Sequence, residues 1–401
     1  MAPTVDSGPD AGGAVLREVV EIAAGVRHSC AVTSDGKVLC WGDNSSGQLG
    51  APLSMARSGA PRPVAGIPAM KKVAAGFAHT CAVEKANPRV WCWGTNRCGQ
   101  LGRGTIEMAP IPVPRKIDPV GGGGLEVDAV EVAAGGDHTC AVESGGAVYC
   151  WGCNTDSQIG PNATGPQTPL PVVTIPGSHR SARVAANAKH SCAVLNSPNG
   201  AATAGIGCWG REENGALGDG LPVASVSGNN PFVEAKMGDA GANGAVFVAV
   251  GERHSCAQDA DRKVFCWGHN DLGQVGSIAL PSVLAPFDTS ERAKGLALGG
   301  ATTCILSPDD RVLCWGSNES GQLGRGTPPD PQPHPRAEAV TGPASGQPLL
   351  AKAIAVGRSH ACALLGGGEV VCWGANEDGQ LGGGGTGPAS PTPRPVVAPQ
   401  P

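Results

Sequence analysis

The stretch HSCAVTSDGKVLCWGDNSSGQLG, from His28 to Gly50, decides how the chain folds. Cys30 and Cys40 flank Ser34-Asp35-Gly36, and two such cysteines could be metal ligands, a redox pair or a staple across a hairpin. Ser-Asp-Gly is turn chemistry: Asp bonds its own backbone, and Gly accepts positive φ. If the three residues form the loop, Thr33 pairs with Lys37, and counting outward sets Cys30 directly opposite Cys40. Directly opposed residues of an antiparallel pair share a face with Cβ atoms about 5 Å apart, near the reach of a disulfide.

The stretch is one of seven. CWGDNSSGQLG from Cys40 returns as CWGTNRCGQLG from Cys92, CWGCNTDSQIG from Cys150 and CWGREENGALG from Cys208. It returns again as CWGHNDLGQVG from Cys266, CWGSNESGQLG from Cys314 and CWGANEDGQLG from Cys372. Trp41, Trp93, Trp151, Trp209, Trp267, Trp315 and Trp373 recur mostly every 58 residues, with one gap of 52 and one of 48. A fixed period of this size means an array of like supersecondary units, which overrides the two domains that 401 residues would suggest. Sixty-two glycines, 35 prolines and only 3% aromatics suit short strands between turns.

Each unit reads as four strands. In the first, VVEIAA gives strand A, HSCAVT strand B, KVLCWG strand C, and a proline-flanked piece beginning RPVAGI at Arg62 strand D. Five residues before each first cysteine stands Gly25, Gly76, Gly135, Gly251, Gly299 or Gly357, with Asn187 in the fourth unit. Glycine replaced only by asparagine is expected where φ is positive. Seven four-stranded antiparallel meanders close most simply as a β-propeller, which hides sheet edges by radial repetition. The expected architecture is all-β, in units of about 18–66, 67–126, 127–180, 181–243, 244–291, 292–349 and 350–397. Residues 1–14 read as a flexible tether and 398–401 as a tail. REVVEIAAG near the N-terminus is expected to complete the last blade beside Pro393–Val397.

Fourteen of the 16 cysteines fall one pair to a unit: Cys30 and Cys40, Cys81 and Cys92, Cys140 and Cys150, Cys192 and Cys208, Cys256 and Cys266, Cys304 and Cys314, Cys362 and Cys372. Zinc knuckles and thioredoxin-like centres want C-x-x-C, and these spacings run from ten to sixteen. One hairpin disulfide per blade is the expectation. The remaining Cys98 and Cys153 lie in loops of adjacent units and are expected to join them, since the total is even. Such cysteine usage implies an oxidising compartment, hence a secreted or cell-envelope protein, although no export signal is visible in the sequence.

No catalytic constellation emerges. Histidine precedes the first cysteine by two residues at His28, His79, His138, His190, His254 and His360, with Thr302 in the sixth unit. Equivalent positions around a ring stand too far apart for one ion, so no metal is assigned; bonding to nearby backbone is expected, with a hydroxyl as substitute at Thr302. The repeated tryptophans read as packing between blades and Gln-Leu-Gly as turn chemistry, so no cofactor is assigned. Walker, zincin and nucleophile-elbow patterns are absent, and the chain does not read as an enzyme. A net charge of −5 argues against nucleic acid, and no apolar run reaches membrane-spanning length, though a lipid anchor or other tether is compatible.

The unit G-x-x-H-[ST]-C-A-V followed by C-W-G-x-N-x-x-G-Q-L-G resembles the repeat of the regulator of chromosome condensation family, from about Glu18 to Gly382. The resemblance implies a seven-bladed propeller. It departs at Asn187, Thr302, Glu212 and Ser157, all local turn positions. Members include exchange factors for a nuclear GTPase, a plant ultraviolet-B photoreceptor and bacterial inhibitors of β-lactamases. The photoreceptor's G-W-R-H-[ST] is matched here by Val26, Phe77, Gly136, Ala188, Glu252, Gly300 and Arg358 at the tryptophan position, which disfavours that chemistry.

A meander places the A–B turns and C–D loops on one face of the disk. That face is the expected binding surface for a protein or peptide, presented by a monomer. Its candidates are Val26, Arg27, Asp43, Phe77, Arg97, Asp156, Arg211, Glu212, Glu213, Glu252, Arg253, Asp271, Glu319, Arg358, Glu377 and Asp378. The leading reading is an extracellular or envelope binding scaffold; the alternative is an enzyme inhibitor, with an exchange factor or a central-channel enzyme ranking below. The opposite face carries the insertions NSPNGAATAG and GNNPFVEAKMGDAGANG, read as tolerated length.

Overall fold

A computed structural model describes residues 14–117, 127–160, 167–173, 180–196, 205–221, 232–235, 244–277, 280–342 and 346–399. Most of both long insertions, and residues 1–13 of the tether, lie outside the described residues. Seven four-stranded antiparallel sheets follow one another, each in simple order A-B-C-D. Blade 1 is A (Val19–Ala24), B (His28–Thr33), C (Val38–Asp43) and D (Arg57–Pro63). The later blades begin at Met70, Ala129, Arg180, Ala245, Gly295 and Ala353.

The opening stretch folds as its turn chemistry dictates. Gly36 takes φ 86°, Thr33 N–H donates to the Lys37 carbonyl, and Cys30 stands opposite Cys40 in register. The same opposition recurs in all seven B–C hairpins, with disulfide Cα separations of 4.1–4.2 Å. Cys98 and Cys153 are also bonded, tying blade 2 to blade 3, so no cysteine is free.

Three expectations require correction. Strand D of blade 1 starts at Arg57, five residues before the piece beginning RPVAGI, and ends at Pro63. An outermost strand hydrogen-bonds on one side only, so it tolerates prolines that would break an inner strand. The D strands of blades 2, 6 and 7, EMAPIPVPRK, DPQPHPRAEA and SPTPRP, share this habit, which also blunts the rim against further strand pairing. The N-terminal strand does not complete the last blade either. Val19–Ala24 is the inner strand of blade 1, and blade 7 is wholly C-terminal, Ala353 to Pro395. Closure instead uses a clip just before that strand, where Val15 bridges Val397 and Leu16 N–H donates to the Val396 carbonyl at 2.8 Å.

The third correction concerns the repeated glycine. Gly25, Gly76, Gly135, Gly251, Gly299 and Gly357 do not have positive φ. Space requires glycine there. A Cβ on Gly25 would lie 2.4 Å from the Gly76 carbonyl oxygen, and one on Gly76 2.5 Å from that of Gly135, closer than any carbon packs. The A strands of blades 1, 2, 6 and 7 thus end against the next blade's glycine at the wall of the central channel, whereas at Gly135 and Gly251 a Cβ would meet the ring of His138 or His254 at 2.2 Å.

The blades are joined by one repeated joint. The backbone carbonyl of the turn glutamine accepts the indole N–H of the following blade's tryptophan: Gln48 from Trp93, Gln100 from Trp151, Gln158 from Trp209, Gln274 from Trp315, Gln322 from Trp373 and Gln380 from Trp41, at 2.8–3.0 Å. In blade 4 Ala216 replaces glutamine, and its carbonyl still receives Trp267. That substitution is tolerated because the joint uses backbone. All seven indoles are essentially buried, so each satisfied N–H avoids the cost of an orphaned polar group.

Candidate functional site

Each histidine of the repeated motif bonds to the next blade and not to nearby backbone. Nε2 lies 2.8–2.9 Å from a Ser or Thr hydroxyl in the pairs His28–Thr80, His79–Thr139, His138–Ser191, His190–Ser255, His254–Thr303 and His360–Ser29. Each hydroxyl donates to the turn carbonyl that also receives the tryptophan, as Thr80 does to Gln48 at 2.8 Å and Ser29 to Gln380 at 3.1 Å. The hydroxyl proton is thereby committed, so Nε2 must be the donor, and burial keeps the ring neutral. Burial holds these imidazoles far below their ordinary value, at about 3 for His28, His138 and His254 and about 4 for His79, His190 and His360. The ring is structural, and one link is missing. Thr302 bonds within its own blade, to the Ser317 carbonyl at 3.4 Å, and its would-be partner in blade 7 is Ala361.

The A–B turns and C–D loops do share one face. The first loop residue bonds back to the A–B turn in every blade, for example Asp43 N–H to the Arg27 carbonyl at 2.9 Å and Arg211 N–H to that of Lys189 at 2.9 Å. Val26, Phe77, Glu252 and Arg358 surround the mouth of the central channel, a recess of about 110 Å³ floored by small residues such as Ala24, Ala75 and Ala134. Arg358 reaches across blade 6, whose turn is Gly300-Ala301, to Glu252 at 3.6 Å.

Beside the mouth, over blades 3 to 5, lies a larger cleft of about 270 Å³. Phe77 and Glu252 line both recesses, so the two adjoin. Arg211, Glu213 and Arg253 line the cleft. An ion-pair chain crosses it: Lys189 to Asp156 at 3.2 Å, Arg211 to Asp156 at 3.9 Å and to Glu213 at 3.2 Å, and Arg253 to Glu213 at 3.5 Å. The half-exposed basic groups make these pairs weak and exchangeable, on the order of 0–1 kcal/mol each.

The other candidates stand apart from the cleft. Arg27 pairs with Asp378 at 2.6 Å, closing blade 7 onto blade 1, and Arg57 adds a second contact at 3.7 Å. Asp43 accepts from Ser45 and Gln48 of its own loop, and Asp271 accepts from Gln274. Glu319 and Glu377 are exposed on separate loops, and Arg97 projects from the blade 2 loop. Glu212 is turned inward. It takes the loop-closing place of asparagine, one oxygen accepting from Leu217 N–H at 3.1 Å as Asn44 does from Leu49, the other buried without a partner. Burial pushes its carboxyl up to about 7.

Sequence reasoning passed over Asp137, Thr155 and Lys189, all of which line the cleft. Asp137 and Lys189 immediately precede His138 and His190, where Arg27 and Arg253 precede theirs. They were readable from that register, but the turns of blades 3 and 4 begin with the unremarkable Gly136 and Ala188. Burial raises the Asp137 carboxyl above its usual range, against the opposing pull of Arg97 and Lys189.

Comparison with known proteins agrees with this architecture. Profiles described as "Regulator of chromosome condensation (RCC1) repeat" match residues 19–48, 70–100, 129–158, 245–274, 293–322 and 351–380, and a second profile of the same description matches 35–83, 88–142, 145–194 and 309–364. The human probable E3 ubiquitin-protein ligase HERC6 is 31% identical over 70% of this chain, which spans 26% of that protein. The ultraviolet-B receptor UVR8 of Arabidopsis thaliana is 31% identical over 65% of this chain and 55% of its own length. Among solved structures, yeast RCC1 (Prp20) bound to Kap60 superposes with a TM-score of 0.73 at 20% identity, covering 99% of this chain and 91% of that one.

Proposed function

The chain belongs to the regulator of chromosome condensation repeat family, a protein-interaction scaffold, and we propose that it binds a protein or peptide partner through the A–B/C–D face, anchored in the cleft over blades 3 to 5. The observation that carries this reading is that cleft and channel mouth meet at Phe77 and Glu252. It sets a half-buried aromatic ring beside exchangeable charges. Such a mixture suits a protein surface, where aromatic and Arg anchors dominate binding, better than a phosphate backbone. The charges that crown this face bond to loops of the same chain only weakly, so a partner can displace them at small cost.

The eight disulfides support a place outside reducing cytosol, in a secreted or cell-envelope setting. Occlusion of an enzyme's site is the narrower version of the same binding reading. The test is capture of partners from the source's envelope and secreted fractions, comparing the native chain with Arg211→Glu/Arg253→Glu and with Lys37→Glu on the opposite face. The reading expects a partner lost with the cleft variant and kept with Lys37→Glu. Loss with Lys37→Glu alone would move the site to the other face.

A further inference from the structure

Around the rim, the glycine that closes the Gly-Gln-Leu-Gly turn of blades 1, 2, 6 and 7 is packed by a branched side chain just beyond strand D. A Cβ added at Gly50, Gly102, Gly324 or Gly382 would lie 2.8, 3.1, 2.7 or 2.9 Å from Val64, Ile117, Val340 or Val396. These joints are full. Blade 5 differs. At Gly276 the nearest atoms are Thr289 Cγ2 at 3.4 Å and Trp315 Nε1 at 3.6 Å.

The cause is a bulge in strand D of blade 5 (Ser282–Arg292). Lys263 pairs with Arg292 and Phe265 with Asp288, so three residues, Thr289 to Glu291, stand opposite Val264 alone. Ser290 takes φ 64°, in the left-handed region. In blade 1 the Val64 N–H donates to the Val38 carbonyl; here the Thr289 hydroxyl serves the Val264 carbonyl at 2.9 Å. Bulges of this kind re-aim side chains. This one opens a cleft of about 310 Å³ between blades 5 and 6, floored by Gly276 and the edge of Trp315.

Glu291 stands on one wall, and Arg336 with Ala337 on the other. Among the described residues the Glu291 carboxylate and the Arg336 guanidinium have no ion-pair or hydrogen-bond partner; the neighbouring Arg325 pairs with Glu338 and donates to the Arg336 carbonyl. Burial raises the Glu291 carboxyl above its usual range, as expected of an acid that lacks a cation. Opposite charges on the two walls, over a floor of Gly276, Thr289 and the nearly covered edge of Trp315, complement a small molecule that carries both charges. The volume suits a compound at the small end of ligand sites.

We propose that this cleft binds a small zwitterion of the α-amino-acid class, its ammonium on Glu291 and its carboxylate on Arg336. The site is independent of the partner face. The test is calorimetric titration of the oxidised full chain with each of the common amino acids. At least one amino acid is expected to bind, while its N-acetyl amide, which has neither charge, does not. Glu291→Gln and Arg336→Gln should each weaken binding about tenfold or more, as loss of a charge-assisted contact implies. Ala337→Leu should fill the cleft and abolish binding while leaving the melting temperature intact. Absence of binding across the panel up to about 10 mM, or binding indifferent to all three substitutions, overturns the proposal.

Discussion

Lowering the pH from 7.5 to 5 should destabilise this propeller, because unfolding releases histidines that the native ring cannot charge. Six imidazoles are completely buried and held neutral, with values of about 3 to 4, against about 6.5 in an unfolded chain. The unfolded state therefore binds more protons throughout this range. The sign follows: stability is full above about pH 6.5 and is lost as pH falls toward the folded values. At pH 5 the gap to the unfolded value is about 1.5, or about 2 kcal/mol for each histidine and on the order of 10 kcal/mol for six. Glu212, raised to about 7, works the other way. Its strain at neutral pH is relieved on acidification, but partial exposure limits this to about 1–2 kcal/mol. Urea denaturation midpoints between pH 7.5 and 5, with disulfides intact, measure the effect. The slope should approach uptake of six protons on unfolding near pH 5, and His79→Gln should reduce it by one. A stability flat within about 2 kcal/mol across that range would refute the assignment of the ring as buried and neutral.

Three further outcomes are expected. The double variant Thr302→His/Ala361→Ser should install the missing seventh link, with a coupling of about 0.5–1.5 kcal/mol in a double-mutant cycle, whereas Thr302→His alone should destabilise by leaving a buried ring unpartnered. Gly76→Ala should cost about 2 kcal/mol or more in chemical denaturation, because its Cβ would meet a carbonyl oxygen at 2.5 Å. Cys98→Ala/Cys153→Ala opens a bridge across 55 residues and should lower stability by about 2–4 kcal/mol without changing the circular dichroism of the native chain.

The fold was legible because its determinants are local and repeated. Cys30 opposite Cys40 follows from a three-residue turn, and the sevenfold return of the paired cysteines and the Cys-Trp-Gly motif implies the ring. What was not legible depends on neighbours distant in sequence. Gly25 reads as a φ requirement until the Gly76 carbonyl of the next blade is seen 2.4 Å from its missing Cβ. The hydroxyl after each histidine, Ser29 or Thr80, looks like a surface residue of strand B, yet it completes a bond to another blade. Of the candidate face, Phe77, Arg211, Glu213, Glu252 and Arg253 meet in one cleft. Asp43 and Glu212 turn out to serve their own loops, because a loop carboxylate and a loop-closing one look alike until the backbone N–H groups are placed. The bulge at Ser290 left no turn signal in the sequence, since serine seldom marks a left-handed residue.

The most direct test of the binding account is site-specific photocrosslinking in the source's own envelope or secreted fraction. A benzophenone side chain at Thr155, exposed on the cleft wall, is compared with one at Asp35 on the opposite hairpin turn. The account predicts one discrete crosslinked polypeptide from position 155, competed away by excess unlabelled native chain but not by the Arg211→Glu/Arg253→Glu variant. A discrete, competable crosslink from position 35 with none from 155 would contradict it.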